Sequence, residues 1–414
     1  MITFFHTADL HFGVENYGRM NSEVGIHSRL LDFKKSFDEC VQKAIEENID
    51  FFLFCGDAYK TAYPTPTQQK LLMDGLFKLQ KAKIPVVIIV GNHDHPLSYG
   101  KANALDVFAD LPIDGFHIFS KPELFILETK NGPVQILGVP WPTRNNLIAR
   151  EEHRQKKTSE VTEYLSAKVG EIIDVLASKI NTEIPAILAG HLTVSNGVFS
   201  GSEKRAVFGS DPTLLPSQLA LPQLDYVALG HLHRHQNLNS SGYPAIVYSG
   251  SFDRVDFGER KEKKGFCRVS VDNKLKKDKR ATFEFVEIST RPFLQIEVKL
   301  ESGIDFTQQI IDEIKKHDIV NSFVKIIYYL PDGKHDKVDL NALHRECSSA
   351  MQVAGIIPVQ SIVKREKRLN LKVDMDFISL VDNYLESKEE YKENKLQLLE
   401  KAKFLHSEIG VDKN

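Results

Sequence analysis

Asp9 and His11 in "HTADLHFG", Asp57 in "GDAYK", Asn92 and His93 in "GNHDH", His191 in "GHLTV", and His231 and His233 in "GHLHRH" share one property. Each follows a short apolar run, and each carries a side chain able to bind a metal or move a proton. Asp9/His11 and His231/His233 are separated by one residue. In extended chain such side chains point the same way, so either pair can grip one ion. Two carboxylates, one amide, several imidazoles and no thiolate make a ligand set that suits Mn²⁺, with Zn²⁺ and Fe²⁺ as alternatives. So many candidate ligands are more than one tetrahedral ion needs. They match two divalent ions sharing a bridging carboxylate, with positions open to water and substrate. Two ions roughly 3.5–4 Å apart form the clamp used for in-line attack on phosphate esters. A single DxH or HxH is more often structural; the weight lies in all of them recurring at the same kind of place.

That place is the end of a buried strand. Ile2–Phe5, Phe51–Cys55, Val86–Val90, Ala186–Ala189, Tyr226–Leu229 and Ala245–Tyr248 are apolar runs without alternation, as expected for strands covered on both faces. Helical spacing appears at Phe33–Ile45, Gln68–Leu79 and Val161–Leu176. Strand and helix in alternation predict a layered α/β domain with parallel pairing, in which ligands collect at the carboxyl ends of the strands. From Pro292 the pattern changes to a smaller unit: strand Leu294–Val298, helix Phe306–Ile314, strand Phe323–Tyr329, helix Leu340–Ala350 and strand Ile356–Val363. The tail from Asp374 is amphipathic through Phe377, Leu380, Val381, Tyr384 and Leu385, with Leu396, Leu399 and Leu405 beyond a charged stretch. Its apolar stripe packs either on its own chain or on a partner helix.

Composition narrows the class. The chain has 414 residues, 42% hydrophobic and 26% charged, with a formal net charge of −3. Two or three domains are expected at this length. Near-neutrality means that any nucleic-acid contact must use locally gathered basic residues. Cys40, Cys55, Cys267 and Cys347 are scattered, which suits a reducing, cytoplasmic compartment rather than a disulfide framework. Neither a secretory leader nor a membrane span is expected.

"DLH" (9–11), "GD" (56–57), "GNHD" (91–94), "GH" (190–191) and "GHLH" (230–233) resemble the five signatures of the calcineurin-like metallophosphoesterases. "GHLTVSNGVFSGSEKRAVFG" and "YSGSFDRVDFGE" are similar to the branch of that family formed by nuclease subunits of double-strand-break repair complexes. The resemblance is close over residues 1–260 and looser beyond. It implies a four-layer α/β sandwich over 1–288, a small α/β DNA-binding cap over 289–368 and helices over 369–414 that bind a coiled-coil ATPase. It also implies a homodimer within a heterotetramer, acting on DNA. One metal would be held by Asp9, His11 and His233, the other by Asn92, His191 and His231, with Asp57 bridging. His93 would be the catalytic residue beside the scissile phosphate, with Asp94 orienting it.

The implied activity is 3′→5′ exonuclease action on duplex ends and endonuclease action on single strands or hairpins. ATP chemistry would belong to the partner, since no GxxxxGK[ST] occurs. Lys60 departs from the family, where many relatives carry an acidic residue or His; it is read as a phosphate contact. Arg254 is read as positioning DNA. The basic stretches 259–265 and 274–280 are either charged turns or phosphate contacts. Trp141 is read as packing, and His6, His95, His153 and His235 as surface or supporting residues. Competing readings of the same residues are a phosphoesterase for cyclic nucleotides or phosphoproteins, a non-enzymatic DNA-end tether and a scaffold active only with its ATPase.

Overall fold

The computed structural model describes residues 1–96, 102–110, 114–143, 158–201, 211–360, 377–387, 391 and 394–411. Along the chain run β1 (Ile2–Thr7), β2 (Phe51–Phe54), β3 (Val86–Ile89), β4 (Phe116–Phe119), β5 (Glu123–Thr129), β6 (Gly132–Val139) and β7 (Ala186–His191). The short pair β8 (Thr193–Val194) and β9 (Thr213–Leu214) follows. Then come β10 (Tyr226–Gly230), β11 (Gln236–Asn237), β12 (Ala245–Tyr248), β13 (Gly265–Val271) and β14 (Ala281–Glu287). They build two six-stranded sheets, ordered β14-β13-β1-β2-β3-β4 and β11-β12-β10-β7-β6-β5. In the first, β1 to β4 are parallel; in the second, β6, β7, β10 and β12 are. Antiparallel strands close the edges: β13 and β14 on the first sheet, β5 and β11 on the second.

Strand periodicity sets the layers, because successive side chains face opposite ways. In β1, Phe4 enters the core between the sheets with Phe51, Leu53, Ile187 and Ala228, while Phe5 faces the opposite side. There Phe5 meets α1 (Ser28–Glu46) and α2 (Pro66–Lys81) through Phe33, Phe37 and Leu76. The second sheet repeats the arrangement, with Leu188 and Val227 packed on Val169 and Ile173 of the helix Thr158–Ala177. Helix, sheet, sheet, helix is the four-layer α/β sandwich expected. The uninterrupted apolar runs form six central strands. Strands β4, β5, β6, β13 and β14 lie outside the sequence expectation; β14 alternates over most of its length and β5 is half exposed, so neither reads as a buried run.

At the site end the sheets come very close. A side chain on Gly230 would bring its Cβ within 1.9 Å of the Cys55 carbonyl and 2.8 Å of Ala8 Cβ, so only glycine fits. His6 also lies here. It is fully buried rather than at the surface, and it joins the sheets: Nε2 donates to Leu229 O at 3.1 Å and Nδ1 accepts from the Tyr226 hydroxyl at 3.1 Å. The four cysteines are all buried, and none is in a disulfide.

Contacts divide the chain into two compact units: Met1–Gln295 with Asp318–Lys325 and Cys347–Gly355, and Ile296–His317 with Ile326–Glu346 and Ile356–Asn414. Strands Phe293–Lys299, Phe323–Leu330 and Gln352–Gln360 form a three-stranded sheet in that order. In the second unit the helix Phe306–Ile314 buries Ile310 and Ile314, and the helix Leu340–Glu346 buries Leu343. The tail forms two helices, Phe377–Ser387 and Lys395–Val411. Lys395 pairs with Asp382 and Glu386, and Phe377 stacks on His406 at 4.8 Å, so they lie antiparallel. Phe377, Tyr384, Leu396, Phe404 and Leu405 stay exposed. Among the described residues no helix is long and apolar enough to cross a membrane.

His6 supplies a pH test. Burial pushes its pKa from the ordinary 6.5 down to about 3, so the folded state holds it neutral. Its contribution is complete above pH 6.5 and is lost as pH falls toward 3, because only the unfolded chain protonates easily. Between pH of about 6.5 and 4.5 the wild type should lose about 2 kcal/mol more stability than His6→Gln, at about 1.36 kcal/mol per pH unit. Urea unfolding of both proteins at the two pH values measures this.

Candidate metal centre

Five parallel strands deliver their exits to one end of the sandwich: β1 brings Asp9 and His11, β2 Asp57, β3 Asn92 and His93, β7 His191, and β10 His231 and His233. The first two exits run side by side, with Asp9 N–H donating to Gly56 O and His11 N–H to Asp57 O, both at 3.0 Å. Asp9, His11, Asp57 and His231 all have positive φ, at 54, 49, 57 and 106°. Each such non-glycine residue costs on the order of 1–3 kcal/mol and persists only where its surroundings enforce it.

The enforcement is visible. Asp94 does not touch His93, contrary to the expectation that it orients that ring. Its carboxylate instead accepts from the backbone N–H of Asp57 (2.9 Å), Ala58 (3.0 Å), Tyr59 (3.3 Å) and Gly91 (3.0 Å). The Asp57 carboxylate packs where a Cβ on Gly91 would stand, 2.2 Å from Asp57 Oδ1. It also receives the His93 N–H at 2.8 Å.

Three imidazoles have one nitrogen tied down outside the centre. His191 Nδ1 donates to Cys55 O at 2.7 Å, His93 Nδ1 to Lys60 O at 2.8 Å, and His233 Nδ1 to Glu259 Oε1 at 2.9 Å. Each bond fixes the tautomer and turns an Nε2 lone pair inward. His191 Nε2 then lies 2.9 Å from Asn92 Oδ1 and 3.4 Å from Asp57 Oδ2. His233 Nε2 lies 2.9 Å from His11 Nε2, which is 3.7 Å from Asp57 Oδ2. His231 Nδ1 is 3.1 Å from Asn92 Oδ1, and its backbone N–H donates to both oxygens of Asp9. His93 Nε2 stands 4.0 Å from Asp57 Oδ2 on a half-buried ring.

Lone pairs converging on lone pairs fit a cation-binding centre. Asp9, His11 and His233 offer ligand atoms within 4.8 Å of one another, as do Asp9, Asp57 and His191, and also His11, Asp57 and His93. Burial lowers His191, but Asp57 and Asp9 outweigh it and raise the ring to about 9, so without a bound ion it is protonated and pairs with Asp57. Burial pushes the Asp57 carboxyl up, but His191, His93 and His11 outweigh it and hold the group well below the usual range. Burial raises Asp9 to about 7 despite His191 and His233. Burial also drives His11 well down and His231 to about 3, so both present neutral nitrogens. A divalent ion would compensate the buried carboxylates and accept those nitrogens.

Beyond the centre, Arg254 is engaged within the protein. Its guanidinium donates to Thr290 Oγ1 and, at 2.8 Å, to Glu262 O. Lys60 is exposed, and its carbonyl holds His93. In the stretch 259–265 the structure buries Glu259 and Lys264 completely, which neither a solvated turn nor a phosphate patch explains. Lys264 Nζ lies 2.7 Å from Glu259 Oε2 and donates to His233 O and Ser251 Oγ. Glu259 is thus the orienting partner of His233, and sequence reasoning missed it. A Glu in a polar "GERKEKK" run reads as solvated; only its place after a sixth strand exit signalled otherwise. In 274–280, Lys277 pairs with buried Asp225 and Arg280 donates to Thr182 O. Trp141 packs on the His231 ring, His235 stacks on Phe285, and His153 lies outside the described residues. Glu259→Gln should lower divalent-metal affinity by about 10–100-fold, the usual effect of losing such a partner. Titration calorimetry reads this, and unchanged affinity would remove Glu259 from the role.

Against known proteins, the calcineurin-like phosphoesterase family profile matches residues 2–235. The SbcD component of the SbcCD nuclease from Staphylococcus epidermidis is 30% identical over 274 residues, covering 65% of this chain and 66% of that protein. The chain therefore matches just under two thirds of this relative's length. Among solved structures, a dimetal phosphatase from Danio rerio aligns with a TM-score of 0.37 and 12% identity, over 65% of this chain and 92% of that one. The family profile runs from β1 past β10 and takes in every strand exit that feeds the centre, and the chain belongs to the calcineurin-like phosphoesterase family.

Proposed function

We propose that the chain is a metal-dependent DNA nuclease of double-strand-break repair, a 3′→5′ exonuclease on duplex ends and an endonuclease on single-stranded or hairpin DNA. It would act as a homodimer in a heterotetramer with an SbcC-type coiled-coil ATPase. The observation that carries the reading is the convergence of His11, His191 and His93 nitrogens on one oxygen of Asp57. Two divalent ions, Mn²⁺ by the donor set, would be held by Asp9, His11 and His233 and by Asn92, His191 and His231, with Asp57 shared. When bound, they supply charge neutralisation at the phosphate and activation of the attacking water.

The chain's own residues supply the rest. Lys60 O holds His93 Nδ1–H, so Nε2 faces the centre from its solvent side; when the ring also carries a proton on Nε2, it would pass that proton to the leaving 3′ oxygen and return to the neutral Nδ1–H form. A cleft of about 690 Å³ beside Lys60 is lined by Tyr17, Phe257 and Arg260 together with Glu15 and Asp256, and offers aromatic surface and two cations, matched by two carboxylates, to a nucleic-acid strand. The functional division 1–288, 289–368 and 369–414 is retained as part of this proposal; its second boundary lies outside the described residues. The exposed apolar side chains of the tail hairpin support docking of the ATPase there.

An end-labelled duplex digested with Mn²⁺, with and without the ATPase, tests the function. Shortening from the 3′ ends is expected; hydrolysis of small phosphoesters with intact DNA would favour the broader phosphoesterase reading. His93→Asn should retain two metals by elemental analysis while cleavage falls by about 10²–10⁴-fold. Retained cleavage would withdraw the assigned role. Deleting residues 374–414 should abolish co-purification with the ATPase and spare Mn²⁺-dependent hydrolysis of a small diester; undiminished co-purification would refute docking through the tail.

A further inference from the structure

Two imidazoles at the centre, His11 and His231, lack an outer hydrogen bond: His11 Nδ1 has no hydrogen-bond partner among the described residues, and its Nε2 faces His233. His191, His233 and His93 are each oriented by a hydrogen bond from Nδ1 to an oxygen outside the cluster. Among the described residues His231 has no such bond. Its Nδ1 faces Asn92, a member of the same cluster, and its Nε2 has no hydrogen-bond partner, with the nearest Asp211 oxygen 3.8 Å away. Its backbone, at φ 106°, is held by the N–H bonds to Asp9, but those bonds do not orient the ring.

What lies against that ring is the indole of Trp141, with centroids 4.9 Å apart and planes at 36°. The same indole meets His191 edge-on at 6.0 Å. Trp141 is itself well fixed. Pro140 and Pro142 flank it, and its backbone N–H donates at 2.9 Å to Val90 O, just ahead of Gly91 and Asn92. One residue is therefore bonded to the strand end that presents Asn92 and packed on both histidines that meet the Asn92 amide. Its ring contacts within the centre are with these two histidines and not with His11 or His233. It is also the chain's single tryptophan.

We propose that Trp141 is the positioning residue for the Asn92–His191–His231 half of the centre, replacing by ring packing the outer hydrogen bond that His231 lacks. The proposal rests on the two-metal reading and deepens it. Its loss should weaken one metal site and leave the other. Because the indole adjoins only that half, its fluorescence should report that half's loading.

The test is Mn²⁺ and Zn²⁺ titration of the full-length protein by calorimetry, with tryptophan emission followed in parallel. In the wild type, two ions should bind and the emission should change with one of the two binding steps; Zn²⁺, which is not paramagnetic, controls for simple quenching. Trp141→Phe should bind both ions within about threefold of wild type, whereas Trp141→Ala should lose about 10–100-fold at one site only. Trp141→Leu, which keeps more volume, carries the same expectation if the alanine variant does not fold. Unaltered binding in the alanine or leucine variant would overturn the proposal, as would equal weakening of both sites. A wild type that binds fewer than two ions would instead overturn the two-metal reading beneath it.

Discussion

Four backbone N–H groups converge on the Asp94 carboxylate, three from the exit of β2 and one from the exit of β3. Sheet pairing can align two strands, but it cannot dictate how the chain turns once it leaves them. Asp94 does so by satisfying donors that the turn would otherwise bury unpaired, each a cost of about 1–3 kcal/mol. The left-handed backbone at Asp57 follows from this clamp, and so does the aim of its carboxylate toward three imidazoles. The neighbouring β1 exit is then placed by its own bonds to Gly56 and Asp57.

Buried charge around the centre is balanced locally, and in the centre it is not. Buried Arg29 lies beside Asp32 and Asp253, Lys264 beside Glu259, and Lys277 beside Asp225. Among the described residues Asp9 and Asp57 have no lysine or arginine as an ion-pair partner; His191, raised to about 9, answers Asp57, while His11 and His231 are driven toward neutrality by burial and leave Asp9 uncompensated. Buried carboxylates are tolerated when paired or when they coordinate metal. The asymmetry between the balanced surroundings and the unbalanced centre gives the same answer as the ligand geometry.

Much of this was legible in the residues. The central strands announce themselves because both faces are covered, which writes an uninterrupted apolar run such as "VVIIV". Their exits stand out because a sheet interior cannot use Asn, Asp and His. Edge strands stayed hidden, since half-exposed β5 and alternating β14 resemble ordinary amphipathic chain. The supporting residues stayed hidden for a different reason. Nothing in "GERKEKKG" tells which of its polar residues will be buried, because burial of Glu259 and Lys264 depends on each finding the other beside His233. Asp94 stands out in the sequence but misleads: adjacency to His93 suggests a side-chain contact, whereas the tight turn sends the two side chains to different tasks. His6 reads as a surface or supporting residue because its partners, Tyr226 and Leu229, come from the other sheet, more than two hundred residues away.

The pairing of β1 with β13 has a consequence for the order in which the chain is made. Ile2 pairs with Val271 and His6 with Cys267, so one edge of β1 finds its partner only when the chain has grown to Val271. Until then β1 can pair with β2 but presents a row of open N–H and C=O groups on its other side, the kind of edge that recruits wrong partners. Asp9 and His11 meanwhile wait for His233, 222 residues beyond His11. A ribosome-bound fragment ending before β10 would own only part of the ligand set and an unprotected edge. Early access to metal would thus come before the geometry that selects it, and β13 acts as the seal on the open edge of β1.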